Sequence, residues 1–255
     1  MILVTSGDSW TQGDSPAQEI NWEAKPTEKW YNIPPNFGDM IDGEPTRGGD
    51  CDNRIKYKFY DSDVWPKVLG RKLGWETWNA GRLGSSNDKI LRTTIATIEY
   101  LESIGKRNFF VVVGLTSPFR YETWNEYKPG AYHQDRVDSR EWLEFGDKKL
   151  THKTCLDIIH LQNFLKCKNI PYLIFSAFDN FDDDIKKDKL YKYIDLENIY
   201  NRNFDGHFYN YIREKYNIED WKTEPYFRTL HPTDISHIEW GEELYKYIRS
   251  NYEFF

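Results

Sequence analysis

Three short stretches hold side chains that together could attack a carbonyl carbon. Near the start, Ser9 follows Ile2-Leu3-Val4-Thr5 by way of Gly7-Asp8. In the middle, Asn79-Ala80-Gly81-Arg82-Leu83-Gly84-Ser85-Ser86-Asn87 forms a glycine-bearing turn. Near the end, His231-Pro232-Thr233 precedes the last amphipathic run. A hydroxyl, an imidazole and glycine amides are the parts of acyl transfer: nucleophile, base and donors for the oxyanion. Each also has a plainer reading. Gly-Asp-Ser is a common turn and recurs here as Gly13-Asp14-Ser15. The glycines suit a strand-to-helix turn that needs positive φ, and His-Pro suits a turn before a helix. Their order along the chain makes them a set.

The elements around these stretches follow from hydrophobic period. Residues 2–5, 77–80, 109–114 (FFVVVG) and 171–178 (PYLIFSAF) read as short, largely apolar strands. Between them, residues 63–73, 86–104 and 151–168 repeat apolar positions at helical spacing, and so does the stretch from Pro232 to Asn251. In the last helix, with Thr233 as N-cap, Ile235, Ile238, Leu244, Tyr247 and Ile248 are expected to face inward. Strands alternating with helices predict an α/β protein, a three-layer α/β/α sandwich with a mostly parallel sheet. The chain reads as a single domain, 1–255, with long insertions near 14–62, 118–150 and 180–229. Such sheets bind ligands at the carboxyl ends of their strands, where Ser9, Gly84, Thr116 and His231 are expected to gather.

Composition narrows the function. Only 39% of residues are hydrophobic, but 15 Phe, 18 Tyr and 10 Trp exclude a disordered chain. Thirty-four basic against 41 acidic side chains give a net charge of −7, which disfavours nucleic acid as a partner. Three widely spaced cysteines suit neither a disulfide framework nor a zinc site. Asp182-Asp183-Asp184 reads as a solvated face, and no metal or cofactor is expected. Met1 to Val4 lacks the basic flank and apolar length of a signal peptide, so folding in the cytoplasm is expected. No apolar run approaches the roughly 20 residues of a membrane span.

The set of blocks resembles the GDSL/SGNH hydrolase family, from one end of the chain to the other, and that resemblance implies a flavodoxin-like fold. It makes Ser9 the nucleophile, with its own amide and that of Gly84 as oxyanion donors. The family's third block is Gly-x-Asn-Asp, whose Asn is a further oxyanion donor. Here it reads Gly114-Leu115-Thr116-Ser117, so a Thr116 hydroxyl stands in that place. The fourth block is Asp-x-x-His-Pro. His231-Pro232 matches its end, but Arg228 stands where Asp is expected. A literal Asp-x-x-His occurs as Asp234-Ile235-Ser236-His237, within the first turn of the predicted helix. The base is therefore placed on His231, with His237 as the alternative.

The orienting carboxylate stays open between Asp234, Asp220, a backbone carbonyl and none at all. Asn87 and Arg120 lie close enough to the blocks to contact substrate. The implied activity is hydrolysis of a small-molecule or glycan ester, with an acetyl or other short acyl group on a carbohydrate preferred. Trp10, Trp22, Trp30, Trp124 and Trp142 fall in or beside predicted loops, where indole rings stack on sugars. The departures at Thr116 and Arg228 motivate a rival: a non-catalytic glycan-binding or structural module on the same fold.

Overall fold

The computed structural model describes residues 1–12, 30–32, 63–82, 84–118, 120–124, 132–136, 142–177, 182–219, 225–228 and 231–253. Strands β1 (Ile2–Ser6), β2 (Trp30–Asn32), β3 (Glu76–Asn79) and β4 (Phe109–Leu115) precede an antiparallel hairpin, β5 (Arg120–Trp124) and β6 (Tyr132–Arg136). Strand β7 (Tyr172–Ser176) follows, and a short pair, β8 (Phe227–Arg228) and β9 (His231–Pro232), precedes the last helix. The main sheet has five strands, all parallel, in the order β2-β3-β1-β4-β7. Without the short edge strand β2, the remaining strands follow the flavodoxin-like order 2-1-3-4.

Seven helices, among the described residues, flank these strands: α1 (Ser9–Gln12), α2 (Trp65–Leu73), α3 (Asn87–Ser103), α4 (Trp142–Cys167), α5 (Asp182–Lys187), α6 (His207–Tyr216) and α7 (Asp234–Asn251). Alternate side chains of the strands point to opposite faces. Val4, Val111, Val113 and Ile174 pack against Ile90, Ile98 and Leu101 of α3 and Cys155, Ile158 and Leu165 of α4. Leu3, Phe110, Val112, Leu173 and Phe175 face Trp65 and Leu69 of α2, Phe208 of α6 and Trp240, Leu244 and Ile248 of α7. Because helices cover both faces, β1, β4 and β7 are buried throughout, which is why they read as continuous apolar runs.

Three expectations need correction: where α4 starts, the inward face of Ile235 and the side-chain cap at Thr233. Helix α4 begins at Trp142, well before residue 151, and the stretch 118–150 also holds the β5–β6 hairpin. Alternation of aromatic and charged residues in Arg120–Trp124 is a strand signal that the local charge density hides. Residues 180–229 contain α5 and α6 with three 3₁₀ turns. Ile235 is 41% exposed, since the buried face of α7 runs through Ser236, His237, Trp240, Gly241, Leu244 and Ile248. Thr233 holds the N-cap position, but its hydroxyl donates to the Pro225 carbonyl and leaves the cap unmade. No helix among the described residues is long and apolar enough to cross a membrane. Cys155 is a buried free thiol whose pKa burial pushes up to about 12, and Cys167 is exposed and free. Cys51 lies outside the described residues.

Helices α2 and α7 meet where Gly241 has no side chain. A Cβ there would lie 2.8 Å from Val68 Cβ and 3.1 Å from the Trp65 carbonyl oxygen. Neither neighbour can swing aside, so overpacking outweighs the helix propensity gained. Gly241→Ala is expected to lower unfolding free energy by roughly 1–3 kcal/mol in urea denaturation.

Candidate functional site

The chain leaves β1 for β3 on one side and then crosses back past β1 to reach β4. That reversal opens a crevice between the carboxyl ends of β1 and β4. The β1–α1 turn sits on one wall and Thr116 on the other. Gly7 makes the turn fit: a Cβ at this position would stand 2.1 Å from Thr11 Oγ1 and 2.8 Å from the Gly114 carbonyl oxygen. Only glycine lets the first turn lie this close to β4.

Asp8 is fully buried and ties the walls together. One oxygen, Oδ1, accepts the Trp10 N–H at 3.0 Å. The other, Oδ2, accepts the Thr116 hydroxyl at 2.9 Å and the Arg120 guanidinium at 3.1 Å. Burial pushes the Asp8 carboxyl above its ordinary range, while Arg120, the Thr116 hydroxyl, the Trp10 amide and the charge of His231 draw it back. The single hydroxyl hydrogen of Thr116 is thus directed at Asp8. Its backbone is clasped by Asn87: the Thr116 amide donates to Asn87 Oδ1 at 3.0 Å, and Asn87 Nδ2 donates to the Thr116 carbonyl at 3.1 Å.

The glycine turn is laid along the first block. Asn79 Oδ1 accepts from Thr5 Oγ1 and the Gly81 amide, each at 3.0 Å, while Asn79 Nδ2 donates to the Thr11 carbonyl. The Ala80 and Arg82 amides donate to the Thr5 and Gly7 carbonyls. Gly84 has φ of +69°, a conformation that favours glycine. Neither the Gly84 amide nor the Ser9 amide has an acceptor among the described residues. Ser86 caps α3 by accepting the Lys89 N–H.

His231 comes from β9, held beside β8 by the pairing of Arg228 with His231 and of Phe227 with Pro232. Its Nε2 lies 3.2 Å from Ser9 Oγ, across 222 residues of sequence. Ser9 is 3% exposed. His237 lies elsewhere: it is buried against Phe208, and its Nδ1 accepts the Trp65 amide at 3.4 Å. Burial, reinforced by the charge of His231, lowers its pKa to about 3. Asp234 Oδ1 is buried without a hydrogen-bond partner among the described residues, and burial raises its pKa, with Asp63 and Lys67 as its charged neighbours. Asp220 and Gly13-Asp14-Ser15 lie outside the described residues. Trp10 packs edge-on to Phe208 in the core, with no face for a sugar. Trp22 is outside the described residues. No cluster of three metal-ligating side chains occurs among them. The residue that sequence reasoning missed is Asp8, which looked like part of a turn. Its signal was a carboxylate directly between a buried strand and a buried helix start.

Two measurements follow from this electrostatics. The folded-state pKa of His237, about 3, lies below its ordinary 6.5, so between these values the unfolded chain binds the extra proton. Stability should then fall as pH drops below about 6.5, with a slope approaching 1.4 kcal/mol per unit. His237→Gln keeps an acceptor for the Trp65 amide, cannot titrate and should flatten that slope in denaturant titrations at pH 7, 6 and 5. Asp8→Asn turns an amide donor toward Thr116 or Arg120. It should lower unfolding free energy by about 2–4 kcal/mol in the same assay at pH 7.

No protein-family model and no curated protein matches the chain. Among solved structures it is similar to the acetyl xylan esterase Est2A from Butyrivibrio proteoclasticus, at 15% identity and a TM-score of 0.49, covering 98% of this chain and 63% of that one. It is similar at 10% identity and a TM-score of 0.45 to a carbohydrate esterase whose active site displays divergent catalytic and non-catalytic binding functions, covering 98% of this chain and 65% of that one. A G-D-S-L family lipolytic protein from Desulfitobacterium hafniense DCB-2 is similar at 11% identity and a TM-score of 0.40, covering 96% of this chain and 98% of that one. The chain thus spans less than two thirds of the length of the first two.

Proposed function

We propose that the chain is a serine ester hydrolase acting through Ser9 and His231, with a short acyl ester of a carbohydrate as its substrate class. The observation that carries this reading is the 3.2 Å approach of Ser9 Oγ to His231 Nε2 at the carboxyl rim of the sheet. That distance lies at the outer edge of the range for a nucleophile and its general base before substrate binds.

With its proton on Nδ1, the imidazole accepts the Ser9 hydroxyl proton as Oγ forms a bond to the ester carbonyl carbon. The carbonyl π electrons move onto oxygen, and the amides of Ser9 and Gly84, which have no acceptor among the described residues, are the donors for that oxyanion. Imidazolium then protonates the departing alkoxide as the C–O bond breaks. Water repeats the sequence on the acyl-enzyme, with His231 again as base. In this reading Thr116 acts through Asp8, because its hydrogen is spent there, and Arg120 shapes the crevice from the same carboxylate. Asn87 holds the Thr116 backbone. The small exposure of Ser9 suits an acetyl-sized group better than a long chain. The carbohydrate half of the proposal rests on the sequence alone, which supplies Trp22, Trp30, Trp124 and Trp142 as candidates to stack on a sugar ring.

A second reading, a module that binds without turnover, is favoured by the engagement of the Thr116 hydroxyl, which leaves two amides as the oxyanion donors. A fluorophosphonate probe separates the two readings. Wild type should be labelled and should hydrolyse p-nitrophenyl acetate, and Ser9→Ala should do neither. His231→Ala should lose at least about a thousandfold in kcat. Unlabelled, inactive wild type would establish the binding module. Full turnover by a folded His231→Ala would remove His231 from the mechanism.

A further inference from the structure

A groove between α4 and α5 holds a concentration of positive charge that the esterase chemistry does not use. Part of it, of about 640 Å³, is lined by Lys148, Lys149, His152, Asp188 and Lys189. A neighbouring part of about 340 Å³ shares three of these residues and adds Thr151, Asp184 and Lys187. Among the described residues, four lysines face two carboxylates there, in a chain whose net charge is −7.

Both carboxylates are already engaged. Asp188 Oδ2 lies 3.0 Å from His152 Nδ1 and its Oδ1 accepts the Leu190 amide, while Asp184 pairs with Lys187 at 3.4 Å. Lys148, Lys149 and Lys189 have no ion-pair partner among the described residues. By contrast Lys153, one turn along α4, is held between Asp88 and Asp157. Like charges gathered in a concave site repel one another, and an anion relieves that repulsion.

Position ties the groove to the catalytic crevice. Helix α4 runs away from the carboxyl rim, and α5 follows the carboxyl end of β7. Thr151 lines the groove, and Thr154, three residues on and on the same side of the helix, lies 3.5 Å from Asn87 Nδ2, the side chain that clasps Thr116. One helical turn, about 5 Å, therefore separates the groove wall from the backing of the crevice.

We propose that this groove binds the acidic groups of a glycan whose ester bond lies at Ser9, so that the substrate is an acidic oligosaccharide carrying carboxylates or sulfates. The inference rests on the esterase reading and names its substrate class. Lysines spaced among carboxylates suit a sugar chain, whose acid groups are separated by uncharged hydroxyls. They suit a polyphosphate backbone less, because its charges fall close together against those same carboxylates.

The test measures binding to Ser9→Ala protein, so that chemistry plays no part. Hexagalacturonate, a chondroitin sulfate hexasaccharide, neutral xylohexaose and the oligonucleotide dT6 are titrated by calorimetry at 50 and 200 mM salt. At least one acidic saccharide should bind ten times or more tighter than xylohexaose and dT6, and should weaken with salt. Lys148→Glu combined with Lys189→Glu should cut that affinity at least tenfold, while leaving p-nitrophenyl acetate turnover in the Ser9-containing protein unchanged. Equal or tighter binding of xylohexaose or dT6 would overturn the proposal, as would a charge-reversed protein that binds as before. Loss of the esterase reading shows instead as absent fluorophosphonate labelling with saccharide binding intact.

Discussion

The site depends on burying one carboxylate. Asp8 gives up hydration, and that loss is offset only because a backbone amide, a hydroxyl and a guanidinium converge on its two oxygens. Those donors come from the start of α1, the end of β4 and the start of β5. Their convergence sets how far the first turn stands from β4, and the residue next to Asp8 is Ser9. A hydrophobic contact could hold these segments together, but it would not fix their relative rotation. Directional bonds to a charge that cannot be left unpaired do so.

The same accounting of donors explains how the third block can carry Thr116 in place of an asparagine without emptying the crevice of structure. Thr116 spends its only hydrogen on Asp8, and its backbone is held by the Asn87 amide from both sides. The β4 end is therefore fixed by three hydrogen bonds, one to Asp8 and two to Asn87, while the amides of Ser9 and Gly84 stay without acceptors among the described residues. Backbone N–H groups with no acceptor among the described residues have the polarity that an anion or a polarised carbonyl oxygen requires.

Much of this was legible in the sequence, and the parts that were not share a cause. Strands such as FFVVVG and helices such as α3 announce themselves through local hydrophobic period, and Ser86 caps α3 as its position suggests. The meeting of Ser9 with His231 followed from a rule about strand ends. The role of Asp8 could not be read, because its three partners are set by tertiary contact, and Gly-Asp-Ser has the composition of an ordinary turn. The early start of α4 and the β5–β6 hairpin were hidden by charge and aromatic density in 118–150. Ile235 is an error of phase: one residue before Ser236 on a helix is a rotation of about 100°, enough to move a side chain from core to solvent.

The two histidines near the end differ in environment more than spacing suggests, and environment decides which of them could serve as a base. His237 sits in the literal Asp-x-x-His and would be chosen on sequence match alone. Yet it lies in the core beside Trp65 and Phe208, with its pKa lowered to about 3. A group that holds a proton so weakly accepts one poorly at neutral pH, and no route from the core brings it to Ser9. His231 is half-buried on a short strand pair at the rim, with a hydroxyl at its Nε2 and the Asp8 charge within electrostatic reach. Arg120 meets that carboxylate at Oδ2, the oxygen that Thr116 also uses. The pairing of Asp8 with Arg120 thus offsets part of the cost of burying a carboxylate next to Ser9, while the imidazole meets the Ser9 hydroxyl from a separate strand pair at the rim.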